Sequence, residues 1–161
     1  MIVIREVTDH KKALLPLLLL ADEQEDMIDL YLERGQMYVL EAAGDAAAVI
    51  VVTDEGNGLL EIKNLAVSQA YQGKGYGRLM IRHIEERYSD RYHTLLVGTG
   101  DSLLTIPFYE KCGFVRSHVV KNFFTDHYDH PIIEGGVLLR DMVYLKKTLE
   151  EAAGESKHTH S

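Results

Sequence analysis

The chain has 161 residues, 46% hydrophobic and 26% charged, with a formal net charge of −8 at pH 7 and one cysteine, Cys112. This length suits one domain with a real apolar core. The charge offers no basic footprint for phosphate backbones, which excludes a nucleic-acid partner, and a lone cysteine excludes an intramolecular disulfide framework. The start, Met1-Ile-Val-Ile-Arg-Glu6, lacks the basic region and long apolar stretch of a signal peptide. The longest apolar run, Ala13 to Ala21, is broken by Pro16 and too short to span a bilayer. A cytoplasmic protein without a membrane partner is the expectation, and a homodimer is left open.

In chain order, Ile2 to Val7 reads as a short strand, and Lys12 to Leu20 and Asp26 to Arg34 as helices. In the second helix Met27, Leu30, Tyr31 and Arg34 share one side, with Asp22, Asp26, Asp29 and Glu33 on another. That acidic side is either a solvated face or a guide for a cationic ligand. Met37 to Ala43 and Ala46 to Thr53 read as a hairpin turning at Gly44-Asp45, and Leu59 to Val67 as a longer strand. A glycine-rich loop then leads into a helix from about Gly75 to Tyr88, on which Leu79, Met80, His83, Ile84 and Arg87 keep helical spacing. Thr94 to Gly98 is a buried strand, and a short helix ends near Cys112 with Gly113 as its left-handed cap. Phe114 to Val120 and Asp141 to Lys147 are the last strands. Lys121 to Arg140 has no strong period and is either functional or a connector anchored by Phe123 and Phe124. The result is a single α+β domain over residues 1–149, layered α/β/α, with a polar, flexible tail over 150–161.

The chemistry concentrates in Leu65-Ala-Val-Ser-Gln-Ala-Tyr-Gln-Gly-Lys-Gly-Tyr-Gly-Arg78. Glycines at 73, 75 and 77 let the backbone approach phosphates closely, the following helix adds unpaired N–H groups and the positive end of its dipole, and Lys74 and Arg78 add charge. The ATP-loop pattern G-x-x-x-x-G-K-[S/T] is absent, and the dinucleotide pattern G-x-G-x-x-G fails at Arg78. What is present is Gln72-x-x-Gly75-x-Gly77 after Leu65-Ala66-Val67. Here the sequence resembles the GNAT superfamily of N-acetyltransferases, whose central motif is [Q/R]-x-x-G-x-[G/A] after such a strand. A second segment, Pro107-Phe-Tyr-Glu-Lys-Cys-Gly-Phe114, resembles the family's later helix, with Tyr109 at the position of its general-acid tyrosine.

The resemblance implies a mixed, mostly antiparallel central sheet with a V-shaped splay between two parallel strands, Leu59–Val67 and Thr94–Gly98. It implies acetyl-CoA as co-substrate, with Leu65, Ala66 and Val67 along the pantetheine arm and Gln72, Gly73, Lys74, Gly75, Tyr76, Gly77 and Arg78 around the pyrophosphate. Ser102 stands where many relatives carry a cofactor-binding asparagine. The implied reaction is direct attack of a neutral primary amine, expected to be small and cationic, in a ternary complex. Proton delivery from tyrosine (~10) to a thiolate (~8.5) is uphill by about two kcal/mol from reference values, so Tyr109 is either an environment-tuned acid or a core aromatic. Glu61 is either a general base or a salt-bridged glutamate; strict alternation places it on the face of Leu65 and Val67, and a bulge would undo that. A non-catalytic acetyl-CoA sensor and a protein Nα- or Lys-acetyltransferase are the rival readings. Cys112 reads as packing, and the spacing in His127-x-x-His130 fits no standard zinc site, so no metal is expected.

Overall fold

The computed structural model describes residues 1–102 and 104–149; the tail expected over 150–161 lies outside the described residues. The strands are β1 (Ile2–Val7), β2 (Gln36–Ala42), β3 (Asp45–Asp54), β4 (Leu59–Val67), β5 (Thr94–Gly100), β6 (Val115–Val120), β7 (Ile133–Glu134), β8 (Val137–Leu138) and β9 (Met142–Thr148). The helices are α1 (Leu15–Ala21), α2 (Glu25–Asp29), α3 (Tyr76–Tyr88), α4 (Ile106–Lys111) and α5 (Phe123–His127), with a 3-10 turn at Lys11–Leu14 before α1. Seven strands form one sheet in the order β1-β2-β3-β4-β5-β9-β6. Only β4 and β5 run parallel.

Burial on both faces explains the long apolar run of β3, where Ala47 to Thr53 are all buried. Ala48, Ile50 and Val52 pack with Met80, Ile81 and Ile84 of α3 on one face. Val49 and Val51 pack with Leu18, Ile28 and Leu32 on the other, beneath α1 and α2. Helix α3 is where its spacing implied, but its buried stripe is Gly77, Met80, Ile81, Ile84 and Tyr88; of the expected set Met80 and Ile84 are buried, while Leu79 and Arg87 are exposed.

Three local expectations change. The first hairpin turns at Ala43-Gly44, one residue earlier than Gly44-Asp45: Ala42 faces Asp45, and the central residues have φ 53 and 83. Positive φ at both central residues matches the right-handed strand twist. Helix α2 ends at Asp29 instead of running to Arg34. Lys11, only 7% exposed, explains the break by donating from Nζ to the carbonyls of Leu32 (2.9 Å), Glu33 (3.4 Å) and Gly35 (2.8 Å). One ammonium thereby closes the turn where a longer helix would have continued. The segment Lys121 to Arg140 is ordered into α5 and the β7–β8 hairpin, which turns at Gly135-Gly136 with φ 57 and 79. Phe124, Ile132 and Leu139 give it a small core of its own.

The feature that shapes the site lies in β4. Val51 pairs with Asn64 but Val52 pairs with Ile62, leaving Lys63 as an extra residue. The parallel pairing of β4 with β5 stops at the same place, at Ile62↔Val97. Beyond it Asn64 to Val67 pair only with β3, and Gly98 to Gly100 only with β9.

Lys11→Met keeps the buried stem but leaves those carbonyls without their donor. It should lower the free energy of unfolding by about 2 kcal/mol, read by chemical denaturation; an unchanged midpoint would show the ammonium to be dispensable.

Candidate active site between two diverging strands

The divergence of β4 and β5 opens a cavity of ≈ 550 Å³, lined by Leu65 and Val67 on one side, Gly98 and Thr99 on the other, and Tyr109 of α4. Each strand keeps a ladder on its outer side, so the edges facing the gap are free to pair with an extended ligand. Gly98 sits in the wall because a Cβ there would lie 2.8 Å from the Tyr144 ring.

The loop after β4 leads into α3. Gly73 and Gly75 both have φ +81, a conformation side-chain-bearing residues rarely adopt, and a Cβ on either would meet nothing within 4 Å. The backbone there is bare and faces open space. The first intrahelical bond is Leu79 N–H to Gly75 O (3.1 Å), so the amides of Tyr76, Gly77 and Arg78 precede the ladder and stay available to an anion. Gln72 lines the cavity and donates from Nε2 to the Val67 carbonyl at 3.3 Å, tying the loop to the end of β4. Lys74 is exposed. The Arg78 guanidinium, expected to add charge to the anion site, donates instead to the Lys111 carbonyl at 2.9 Å, at the C-terminal end of α4. Gly77 is buried, its α-carbon turned to Phe108, whose ring a Cβ would approach to 3.2 Å.

Helix α4 begins at Ile106 and carries Pro107 in its first turn, where the missing N–H costs no ladder bond. Tyr109 packs edge-on against Phe108 and Phe114 and lines the cavity. Its hydroxyl has no hydrogen-bond partner among the described residues, and burial, then Cys112 and Glu134, raise its pKa well above the usual tyrosine value. Ser102 is buried and its Oγ accepts the Leu104 N–H at 3.0 Å. Cys112 is buried at the end of α4, with its pKa raised by burial.

Glu61 stands apart from Leu65 and Val67. Leu60, Ile62, Leu65 and Val67 all pack on the α3 face, which alternation alone would forbid across the three-residue step from Ile62 to Leu65. The extra residue restores them to one face and turns Glu61 to the other, so the alternation expectation for Glu61 is reversed. Glu61 lines a second cavity of ≈ 260 Å³, together with Met27, Leu30, Tyr31 and Arg34. It pairs with Lys63 at 3.1 Å, and burial raises its pKa more than Lys63 lowers it.

Three carboxylates line the first cavity without having been singled out in the sequence as site residues: Asp22, Glu23 and Glu134. Glu134, on the two-residue strand β7, lines the first cavity beside Tyr109; burial raises its pKa, and the Ser102 hydroxyl works against this. Asp22, counted with the acidic helix side, lies in the turn between α1 and α2 and lines both cavities. Among the described residues no three His, Cys, Asp or Glu side chains gather as a metal site, and no helix is long and apolar enough to cross a membrane.

Comparison with known proteins agrees with this geometry. Residues 33–116 match the model of the acetyltransferase (GNAT) domain. An uncharacterised N-acetyltransferase of Bacillus subtilis (strain 168), YvbK, is 40% identical over 131 residues, covering 80% of this chain and 84% of the relative. A GNAT family acetyltransferase of Elizabethkingia anophelis, solved with acetyl-CoA bound, superposes with a TM-score of 0.86 at 32% identity, covering 91% of this chain and 97% of that one. A Bacillus subtilis acetyltransferase in complex with CoA gives 0.83 at 36% identity, covering 92% and 99%. An IAA acetyltransferase of Bacillus cereus gives 0.84 at 36%, with the same coverage.

The burial of Glu61 has a thermodynamic signature. A carboxyl whose folded pKa lies above its unfolded value binds protons more tightly when folded, so its contribution to stability is present below the unfolded value and lost as pH rises through the folded one. The stability of the wild type relative to Glu61→Gln should therefore fall as pH rises from about 4 upward, measured by denaturation at a series of pH values; a gap independent of pH would exclude a raised Glu61.

Proposed function

The chain belongs to the GNAT acetyltransferases, and from that premise we propose that it moves the acetyl group of acetyl-CoA to a small, cationic primary amine. Support comes above all from the gap between β4 and β5, where free strand edges and Tyr109 line one cavity and a loop of bare glycine backbone follows the end of β4. The backbone of Leu65, Ala66 and Val67 would bond the pantetheine arm and polarise the thioester oxygen. Gln72, Gly73, Lys74, Gly75, Tyr76, Gly77 and the Arg78 amide would hold the pyrophosphate. Ser102, buried just after β5, would support the same substrate through its hydroxyl.

The neutral amine attacks the thioester carbon as the C–N bond forms and the C–S bond breaks. Glu61 takes the proton the amine loses, directly or through a water, from the neighbouring cavity. Tyr109 gives its proton to the departing thiolate. Burial holds Tyr109 protonated at neutral pH, as an acid must be, but also makes it a reluctant donor. The thiolate left in the same low-dielectric cavity is destabilised too, which restores part of the driving force. The size of the second cavity, ≈ 260 Å³, supports a small acceptor over a peptide.

Release of CoA thiol from acetyl-CoA across a panel of amines, amino acids and peptides tests the reaction; turnover only on peptides would replace the small amine. Tyr109→Phe keeps the ring packing and should lower turnover about 10²–10⁴-fold, with acetyl-CoA affinity little changed. Near-normal turnover in a folded variant would make Tyr109 structural. Gly75→Val forces φ +81 on a branched residue beside the anion site. It should weaken acetyl-CoA binding far more than amine binding by titration calorimetry; unchanged affinity in a folded protein would move the phosphate site elsewhere.

A further inference from the structure

The two cavities share one wall, made by Asp22, Ile62, Lys63, Gly98, Tyr128 and Met142. Asp22 is the one carboxylate in it, half-buried in the turn between α1 and α2. A directed chain of donors holds it. Asn64 Nδ2 donates to the Leu18 carbonyl (3.0 Å) and to Tyr31 Oη (3.1 Å), so the Tyr31 hydroxyl has its proton left to give, and donates to Asp22 Oδ2 (3.1 Å). Tyr128 Oη donates to Asp22 Oδ1 (2.7 Å). Both oxygens of Asp22 therefore accept from neutral hydroxyls, which favour the ionised form against a burial that on balance raises its pKa, and each oxygen keeps capacity for a further donor.

The lysine and arginine of the second cavity, which His127 also lines, already have partners. Lys63 pairs with Glu61 at 3.1 Å and Arg34 with Glu55 at 3.0 Å. Among the described residues Asp22 forms no salt bridge with a cationic side chain, and Asp26 is the charged neighbour with the largest effect on it. The rest of the wall is rich in aromatic residues, with Tyr31, Phe123, Tyr128 and Tyr144, a type of side chain that can favour a positive group. A carboxylate lacking a cation, in a cavity too small for a chain segment and joined to the acetyl-transfer cleft, is a place for an organic cation.

We infer that the acceptor carries a second cationic group besides the amine that is acetylated, and that Asp22 at the shared wall is its seat. The acceptor class is then a diamine or an amine with a distal guanidinium, its reacting nitrogen directed into the first cavity and its distal charge held by Asp22 among the rings. Asp22 acts here on specificity, and the proton transfers remain with Tyr109 and Glu61. This rests on the acetyl-transfer reading, so the test separates the two.

The acceptors to compare are cadaverine and n-hexylamine, in which a methyl replaces the distal ammonium. Wild-type kcat/KM should favour cadaverine by about 10²-fold, the scale of a desolvated charge pair. Asp22→Asn, of the same shape, should bring that ratio close to one, and Asp22→Glu, which keeps the charge, should restore part of it. Equal use of both amines by the wild type, or an unchanged ratio in folded Asp22→Asn, overturns the seat and leaves acetyl transfer standing. Calorimetric binding of tetramethylated cadaverine, a dication with no acetylatable amine, needs no turnover. Binding by the wild type that Asp22→Asn weakens, with no thiol release on any amine, keeps the seat and overturns the transfer reading. No binding by the wild type, or equal binding by both proteins, overturns the seat.

Discussion

One unpaired residue, Lys63, sets the architecture of the site. A single insertion in β4 ends its ladder with β5, so that two neighbouring strands in the middle of the sheet lose each other as partners. In a buried sheet such a loss would leave costly unsatisfied amides, unless a ligand takes them up. The same insertion reverses the alternation, so Leu65 and Val67 join the α3 face while Glu61, Asn64 and Ala66 turn toward α1 and α2. The proposed donor and acceptor sites thereby fall on opposite faces of one strand.

The face toward α1 and α2 is assembled by polar contacts between segments far apart in sequence. Asp22 and Gln24, in the turn after α1, receive the Tyr128 hydroxyl and the Asp129 N–H from the segment after α5. Lys11 fixes the turn that bears Tyr31 and Arg34. The anion loop rests on none of these contacts; its conformation follows from Gly73 and Gly75 and from the start of α3. Changes in that face therefore leave the glycine loop geometrically intact.

Local chemistry decided what was legible in the sequence. The glycine loop, helix α3 and the Gly113 cap are short-range features, and each lies where the sequence implies, although the buried stripe of α3 is rotated from the expected one to take in Ile81 and Tyr88 in place of Leu79 and Arg87. The side Met27, Leu30, Tyr31, Arg34 survives the early end of α2, since a chain of successive turns keeps nearly the helical phase. The bulge was visible only as an irregular apolar rhythm, Leu60, Ile62, Leu65, Val67, whose step of three breaks the period of two. The β7–β8 hairpin has strands too short to show a period, although Gly135-Gly136 is a hairpin dipeptide. Asp22 and Glu134 gain their meaning from neighbours a hundred or thirty residues away, through Tyr128 and Ser102, which no local pattern contains.

Cys112, described as packing at the end of α4, has a practical corollary. It is the chain's one thiol, it is buried, and burial raises its pKa, so that little thiolate is present near neutrality. A thiol-reactive dye added to a reaction mixture then counts free coenzyme with almost no protein background. The dye also becomes a reporter of the fold: a slow, one-equivalent increase in its signal from enzyme alone marks the opening of the helix that carries Tyr109.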